Sequence, residues 1–346
     1  MNIAVYVPSR SGNAGSKFIV ETFFPLFKQL AGHRFIIITS VSNDLTNVHG
    51  FELIFIKPQP RNVLLKKLWI EKSMARLLKK TDTDVFICAD NFCLLNTSLP
   101  QILLLPDTEK LKQAYAKKAQ LIIVTNESQR KKSIMNLPVR DQRIEVVHPS
   151  PGKLYIQFDE EEKASVKNKF SEGKEYFLYN SSFNKKDDLI GLLKSFSYFK
   201  KRQQSSFKLL LFERSNFSFE EAIDNYKYRD DIVIVKPENN DAEITAAAYA
   251  AVLPFNTDAD IPAALNAMQS GVPVITTGDS LINEIAADGA LYAANEIRDI
   301  GEKMMQLYKD ESLRSRLAAR GKDLVKKFTE EKCAGQLQQC IMKAMN

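Results

Sequence analysis

The chain has 346 residues, 45% of them hydrophobic and 26% charged, enough for a folded protein with two cores of ordinary size. Its net charge of +6 is uneven, with 21 Lys and Arg against 12 Asp and Glu in residues 1–150. No apolar run reaches eighteen residues, no metal-like Cys/His set occurs and no aromatic-basic interleaving is present. The sequence therefore speaks against a spanning helix, a zinc module and a nucleic-acid partner.

The opening "MNIAVYVPSRSG" has no basic stretch before its apolar run and no small-residue cleavage site, so it reads as a first strand and not a signal peptide. Apolar runs predict further strands at 35–39, 52–56, 84–88, 102–105, 121–124 and 144–147, separated by helix patterns at 17–30, 62–80, 108–118 and 127–136. In the helix over 62–80, Leu68, Ile70, Met74, Leu77 and Leu78 form the inward stripe. The prolines of "HPSPGKLYIQF" mark a linker. Beyond it come strands at 176–179, 208–212, 232–235, 251–254, 272–276 and 290–292. Helices are predicted at 187–203, 241–249, 262–270, 280–286, 296–309, 311–327 and 330–344. Runs such as "FIIITS" and "LIIVTN" are β-branched without alternation, as in parallel strands covered on both faces. This predicts an α/β chain of two doubly wound domains, residues 1–150 and 151–329, with 330–346 a helix packing back toward the first. Cys88, Cys93, Cys333 and Cys340 read as free thiols.

Several segments carry a resemblance. "YFLYNSSFNKKDDLIGLLKSF" reads as strand, small-residue turn, basic pair and long helix. "ALNAMQSGVPVIT" joins a helix to a buried strand. "LINEIAADGALYAANEIRDIGEKMM" continues the pattern, through Glu284, toward the final helix. These resemble the retaining glycosyltransferases of family 4, which have the GT-B fold. "KLWIEKSMARLLKKTDTDVF", "LIIVTNESQRKKSI" and "RIEVVHPSP" in the first half are similar more loosely. The resemblance implies two Rossmann-like domains facing across a cleft, the first on the acceptor side and the second binding a nucleotide sugar. It implies a UDP- or GDP-sugar donor, no metal or other cofactor, and a glycan or lipid-linked acceptor. It also implies a cytoplasmic protein at the inner face of the membrane, touching it through the basic first domain.

Site residues follow from the same resemblance. The phosphate turn falls on Ser181 and Ser182. The cation pair that offsets the leaving diphosphate falls on Lys185 and Lys186 or, in strict register, on Lys186 and Asp187. The family's first glutamate, near the sugar, falls on Asp258 or Asp260, and its second, at the ribose, on Asn266. The base lies against Val235, Lys236 and Pro237. On the acceptor side Gly12, Asn13 and Gly15 stand for the glycine loop, and Pro106-Asp107 for a His-Asp pair. Asn for Glu, Pro for His and Ser for Gly depart from the family. Three readings follow: a hexosyltransferase of glycan or cell-envelope polysaccharide synthesis, a catalytically impaired binding or partner protein, or a nucleotide-sugar epimerase of the same architecture, against which the few carboxylates and histidines speak.

Overall fold

Residues 1–7, 14–39, 50–56, 62, 65, 68–105, 110–183, 185–214, 217–236, 240–255, 260–278, 281–294 and 296–346 are described by a computed structural model. The chain forms two units, Met1–Pro149 with Glu330–Asn346, and Ser150–Thr329. The boundary thus falls one residue before the position expected from the prolines, and residues 330–346 belong to the first unit.

The first unit holds β1 (Asn2–Tyr6), β2 (Arg34–Thr39), β3 (Glu52–Phe55), β4 (Val85–Cys88), β5 (Gln101–Leu104), β6 (Leu121–Val124) and β7 (Ile144–Val146). All neighbours pair in parallel, in the order β3-β2-β1-β4-β5-β6-β7. Ile36, Ile37 and Ile38 are fully buried, as a central strand covered on both faces requires. The described helices are α1 (Ala14–Gln29), α2 (Ala75–Lys80), α3 (Gln113–Lys118) and α4 (Glu127–Asn136). A π-helical turn, Ile70–Met74, leads into α2. Its wider winding shifts the phase of the apolar stripe. Met74 and Leu78 are buried and Leu77 packs against the core, but Leu68 is 53% exposed rather than inward.

The second unit repeats the topology with β8 (Tyr176–Tyr179), β9 (Lys208–Phe212), β10 (Ile232–Val235), β11 (Ala250–Leu253), β12 (Val274–Thr277) and β13 (Ala290–Ala293). The order β10-β9-β8-β11-β12-β13 is again parallel throughout. Both sheets therefore reverse winding next to their first strand, the point at which doubly wound sheets bind ligands at the strands' carboxyl ends. Helices α5 (Glu160–Ser171), α6 (Lys186–Gln203), α7 (Glu220–Asp224), α8 (Asp241–Ala246), α9 (Asp260–Gln269), α10 (Asn283–Ala286), α11 (Ile297–Lys309) and α12 (Glu311–Val325) follow the chain. The sequence patterns miss α5 and α7. In α5 Val166 is the one large apolar side chain that is buried, so no stripe shows, and the start is set by a capping box between Asp159 and Glu162.

Helix α13 (Glu330–Met345) returns the chain to the first unit. It buries Cys333, Ala334, Leu337, Cys340, Ile341 and Ala344 there. Gln29 donates to Glu330 at 2.9 Å, His33 bonds Gln338 at 2.9 Å, and Lys343 pairs with Glu145 at 2.5 Å. The Cys333 thiol donates to the Pro149 carbonyl at 3.9 Å, so the points where the chain leaves and re-enters the unit touch.

Candidate functional site

Polar groups gather at the carboxyl edge of the second sheet, beside its winding reversal. Strand β8 ends at Tyr179 and the chain runs on through Asn180 and Ser181, all three at least 97% buried. The Asn180 amide donates to the Ala263 carbonyl of α9 at 3.4 Å. Among the described residues, Asn180 Oδ1 has no hydrogen-bond partner, and Tyr179 Oη and Ser181 Oγ have only each other, off ideal geometry. Such a buried group costs about 1–3 kcal/mol unless a ligand or water satisfies it. Three such residues follow one another at and just past the end of β8. Tyr179 stacks on Phe183 with ring centroids 4.0 Å apart, and Phe255 closes on both. Burial pushes the Tyr179 phenol well up, and the nearby Asp260 carboxylate pushes it further, against a weak pull from Ser181. The phenol stays protonated and is a hydrogen-bond donor.

Asp260 opens α9 and is fully buried. Of the two acids that share the sugar-facing expectation it is the one described; Asp258 lies outside the described residues. Asn266 is half-buried on α9, and its Oδ1 accepts the Gly152 backbone N–H at 2.8 Å. An amide held this way offers further donors, where the family's carboxylate offers acceptors.

Ser182 is half-buried in the turn before α6. Lys185 caps α6 without a side-chain cap bond and its side chain is 68% exposed, 3.9 Å from Asp188. Lys186 is 42% exposed and held by Glu221 at 2.6 Å. The expected cation pair therefore stands on the outer side of the turn, away from its buried floor. Asp187 is exposed in the first turn of α6, where its charge suits the helix dipole. Val235 ends the edge strand β10 nearly buried, and Lys236 is exposed beside it. Pro237 lies outside the described residues. Glu284 is exposed in the four-residue helix α10.

On the first unit, Gly12, Asn13, Pro106 and Asp107 lie outside the described residues, and Gly15 is in the first turn of α1. Leu105, just past β5, has φ +49°, a left-handed conformation that costs a leucine free energy.

One charged group escapes the sequence patterns. Arg214, two residues beyond β9, is 18% exposed and pairs with Asp241 at the start of α8. Its Nη1 donates to the Asn180 carbonyl at 3.4 Å. The available signal was an arginine two residues after the buried run "KLLLF".

Among the described residues, no group of three or more His, Cys, Asp or Glu is arranged to hold a metal ion. No described helix is long and apolar enough to cross a membrane.

Residues 160–324 match the family described as Glycosyl transferases group 1. An uncharacterized glycosyltransferase of Methanocaldococcus jannaschii is 35% identical over 85 residues, and that match spans about a quarter of either chain (24%). Solved structures extend the likeness to the whole length. A glycosyltransferase from Rickettsia africae superposes with a TM-score of 0.80 at 13% identity, covering 100% of this chain and 98% of its own. The Anabaena protein HepE, in complex with UDP and glucose, gives 0.75 at 13% identity over 98% of both chains. The fold is GT-B. Each unit supplies one of the two Rossmann-like domains of GT-B, and the segment matching the transferase family lies within the second, where the buried polar strand end is found.

Proposed function

We propose that the chain is a glycosyltransferase that moves a hexose from a nucleoside-diphosphate sugar to an acceptor hydroxyl with retention, as in family 4. The observation that carries this reading is the end of β8. Three consecutive buried residues keep unmet hydrogen-bonding capacity at the ligand-binding edge of a parallel sheet, inside the segment that matches Glycosyl transferases group 1. A diphosphate brings acceptor oxygens to Tyr179, Ser181 and the turn's backbone N–H groups, with Ser182 beside them. The sugar hydroxyls meet Asp260 or Asp258. Asn266 donates to the ribose, and the base lies along Val235 and Lys236. Lys185 and Lys186 offset the charge of the departing diphosphate from the solvent side. No metal is assigned a role. HepE, which shares the fold, is seen with UDP and glucose, so UDP is the first nucleotide to test.

The acceptor is a glycan or a lipid-linked saccharide bound by the first domain through Gly12, Asn13, Gly15 and Asp107. Leu65 and Leu68, 56% and 53% exposed within a lysine-rich stretch, suit contact with an anionic membrane at the cytoplasmic face.

Isothermal titration with UDP, GDP and their sugars tests the reading, followed by a donor-hydrolysis assay. Binding at micromolar to millimolar levels with slow release of free sugar is expected. Absence of binding at millimolar concentration sinks the reading, and binding without turnover leaves the impaired partner protein. Lys185→Ala with Lys186→Ala weakens the nucleoside diphosphate about threefold, as befits exposed charges. Asn266→Glu keeps or improves binding, because a carboxylate still accepts from Gly152.

A further inference from the structure

The lysines of the turn are solvated, yet a diphosphate seated against the end of β8 needs a cation nearer its buried floor. We propose that Arg214 is that cation, a binding group for the nucleoside diphosphate that acts from beneath the turn between β8 and α6. The inference rests on the donor reading above and assigns the charge to a strand and a residue outside the family's cation pair.

Strand pairing and one contact place Arg214. Tyr179 of β8 pairs with Leu211 of β9, so the two strands end side by side, and the bond from Arg214 to the Asn180 carbonyl sets its guanidinium at the end of β8. It turns back sharply, its N–H donating to the Phe212 carbonyl at 2.9 Å, and its guanidinium lies 5.1 Å from the centre of the Phe212 ring. Nη1 reaches Asn180 and Nη2 reaches Asp241, so one side chain joins the ends of β8 and β9 to the start of α8.

A guanidinium has five N–H donors. Two are engaged here, and the buried Nε has no partner among the described residues. Asp241 uses one oxygen, and its buried Oδ1 also lacks a partner. The pair is neutral at a distance but a strong dipole at close range, with its positive end against the Asn180 carbonyl and the turn. Nε is out of an anion's reach, so an anion arriving there accepts from the remaining Nη N–H groups of this 18% exposed side chain, while Asp241 keeps the guanidinium in place. At 18% exposure this charge is screened far less than Lys185 at 68% or Lys186 at 42%.

The test is calorimetric. Wild type is titrated with UDP, GDP and ADP, and the tightest is compared with its own nucleoside in each variant. Arg214→Met weakens the diphosphate at least tenfold and leaves the nucleoside within about twofold. Arg214→Lys recovers part of the loss, which a purely architectural role would not predict. Should Arg214→Met fail to fold, Arg214→Met with Asp241→Asn removes both charges and gives the same comparison. Undiminished diphosphate affinity, or equal losses for diphosphate and nucleoside, overturns the proposal while leaving the donor reading intact. If wild type binds none of the three nucleotides, the donor reading itself falls and Arg214 with it.

Discussion

Ala287 follows α10 with φ +40° and ψ −116°, a combination that glycine tolerates and alanine does not. The Tyr292 hydroxyl fixes it by donating to its carbonyl at 2.5 Å. Ala287→Gly removes strain and adds chain entropy to the unfolded state. The first effect is larger, so stability should rise by about 1 kcal/mol, read as a higher denaturation midpoint. The cysteines make a pH prediction. Burial raises Cys93, Cys333 and Cys340 to about 12, and Cys88 well above its ordinary value. The folded state thus holds these protons more tightly than the unfolded chain. Their contribution is complete below the unfolded value near 9 and is lost as pH climbs from about 9 toward 12. Urea melts at rising pH should show this fall, and a thiol reagent at neutral pH should label the four cysteines only in denaturant. At this scale the sequence conveyed residue types but not partners. That Asn266 is held by Gly152, 114 positions away, or Lys186 by Glu221, 35 away, follows from packing alone. Arg214 was hidden for the same reason: its meaning depends on which strand lies beside β9.

Helices α6 and α11 pack closely at Gly301, where an added Cβ would stand 2.7 Å from the Ser195 carbonyl oxygen. Ser195 Oγ locks the crossing by donating to the Ile297 carbonyl at 2.8 Å. Gly301→Ala should therefore destabilise the second unit by about 1–3 kcal/mol, read as a lower denaturation midpoint, despite alanine's better helix propensity. Elements of this kind were the legible part of the chain. Runs such as "KLLLF" and "LIIV" are fully or almost fully buried where the pattern put them, because both faces of a parallel strand must be apolar. Strand ends moved by one or two residues, as at β12, which starts at Val274 rather than at 272 although Val272 is buried. Helix α5 was illegible to periodicity because its surface is charged all round. Its capping box was the readable sign.

Each unit has its own core, so the chain should unfold in two calorimetric steps. Deleting residues 330–346 removes the buried Leu337 and Ile341 from the first unit, a loss of about 3–6 kcal/mol from these two alone. One transition should drop in temperature or vanish, while the transition of the second unit stays within about 2 °C. The return of the chain to its first unit also orders events during synthesis. Residues 150–329 are made between the two parts of that unit, at roughly 5–20 residues per second, so about 10–40 s pass before α13 emerges. Until α13 is made, the first unit shows an open apolar face. The half of the protein that is begun first waits for its last helix, and over those seconds its uncovered face is the surface a chaperone would meet.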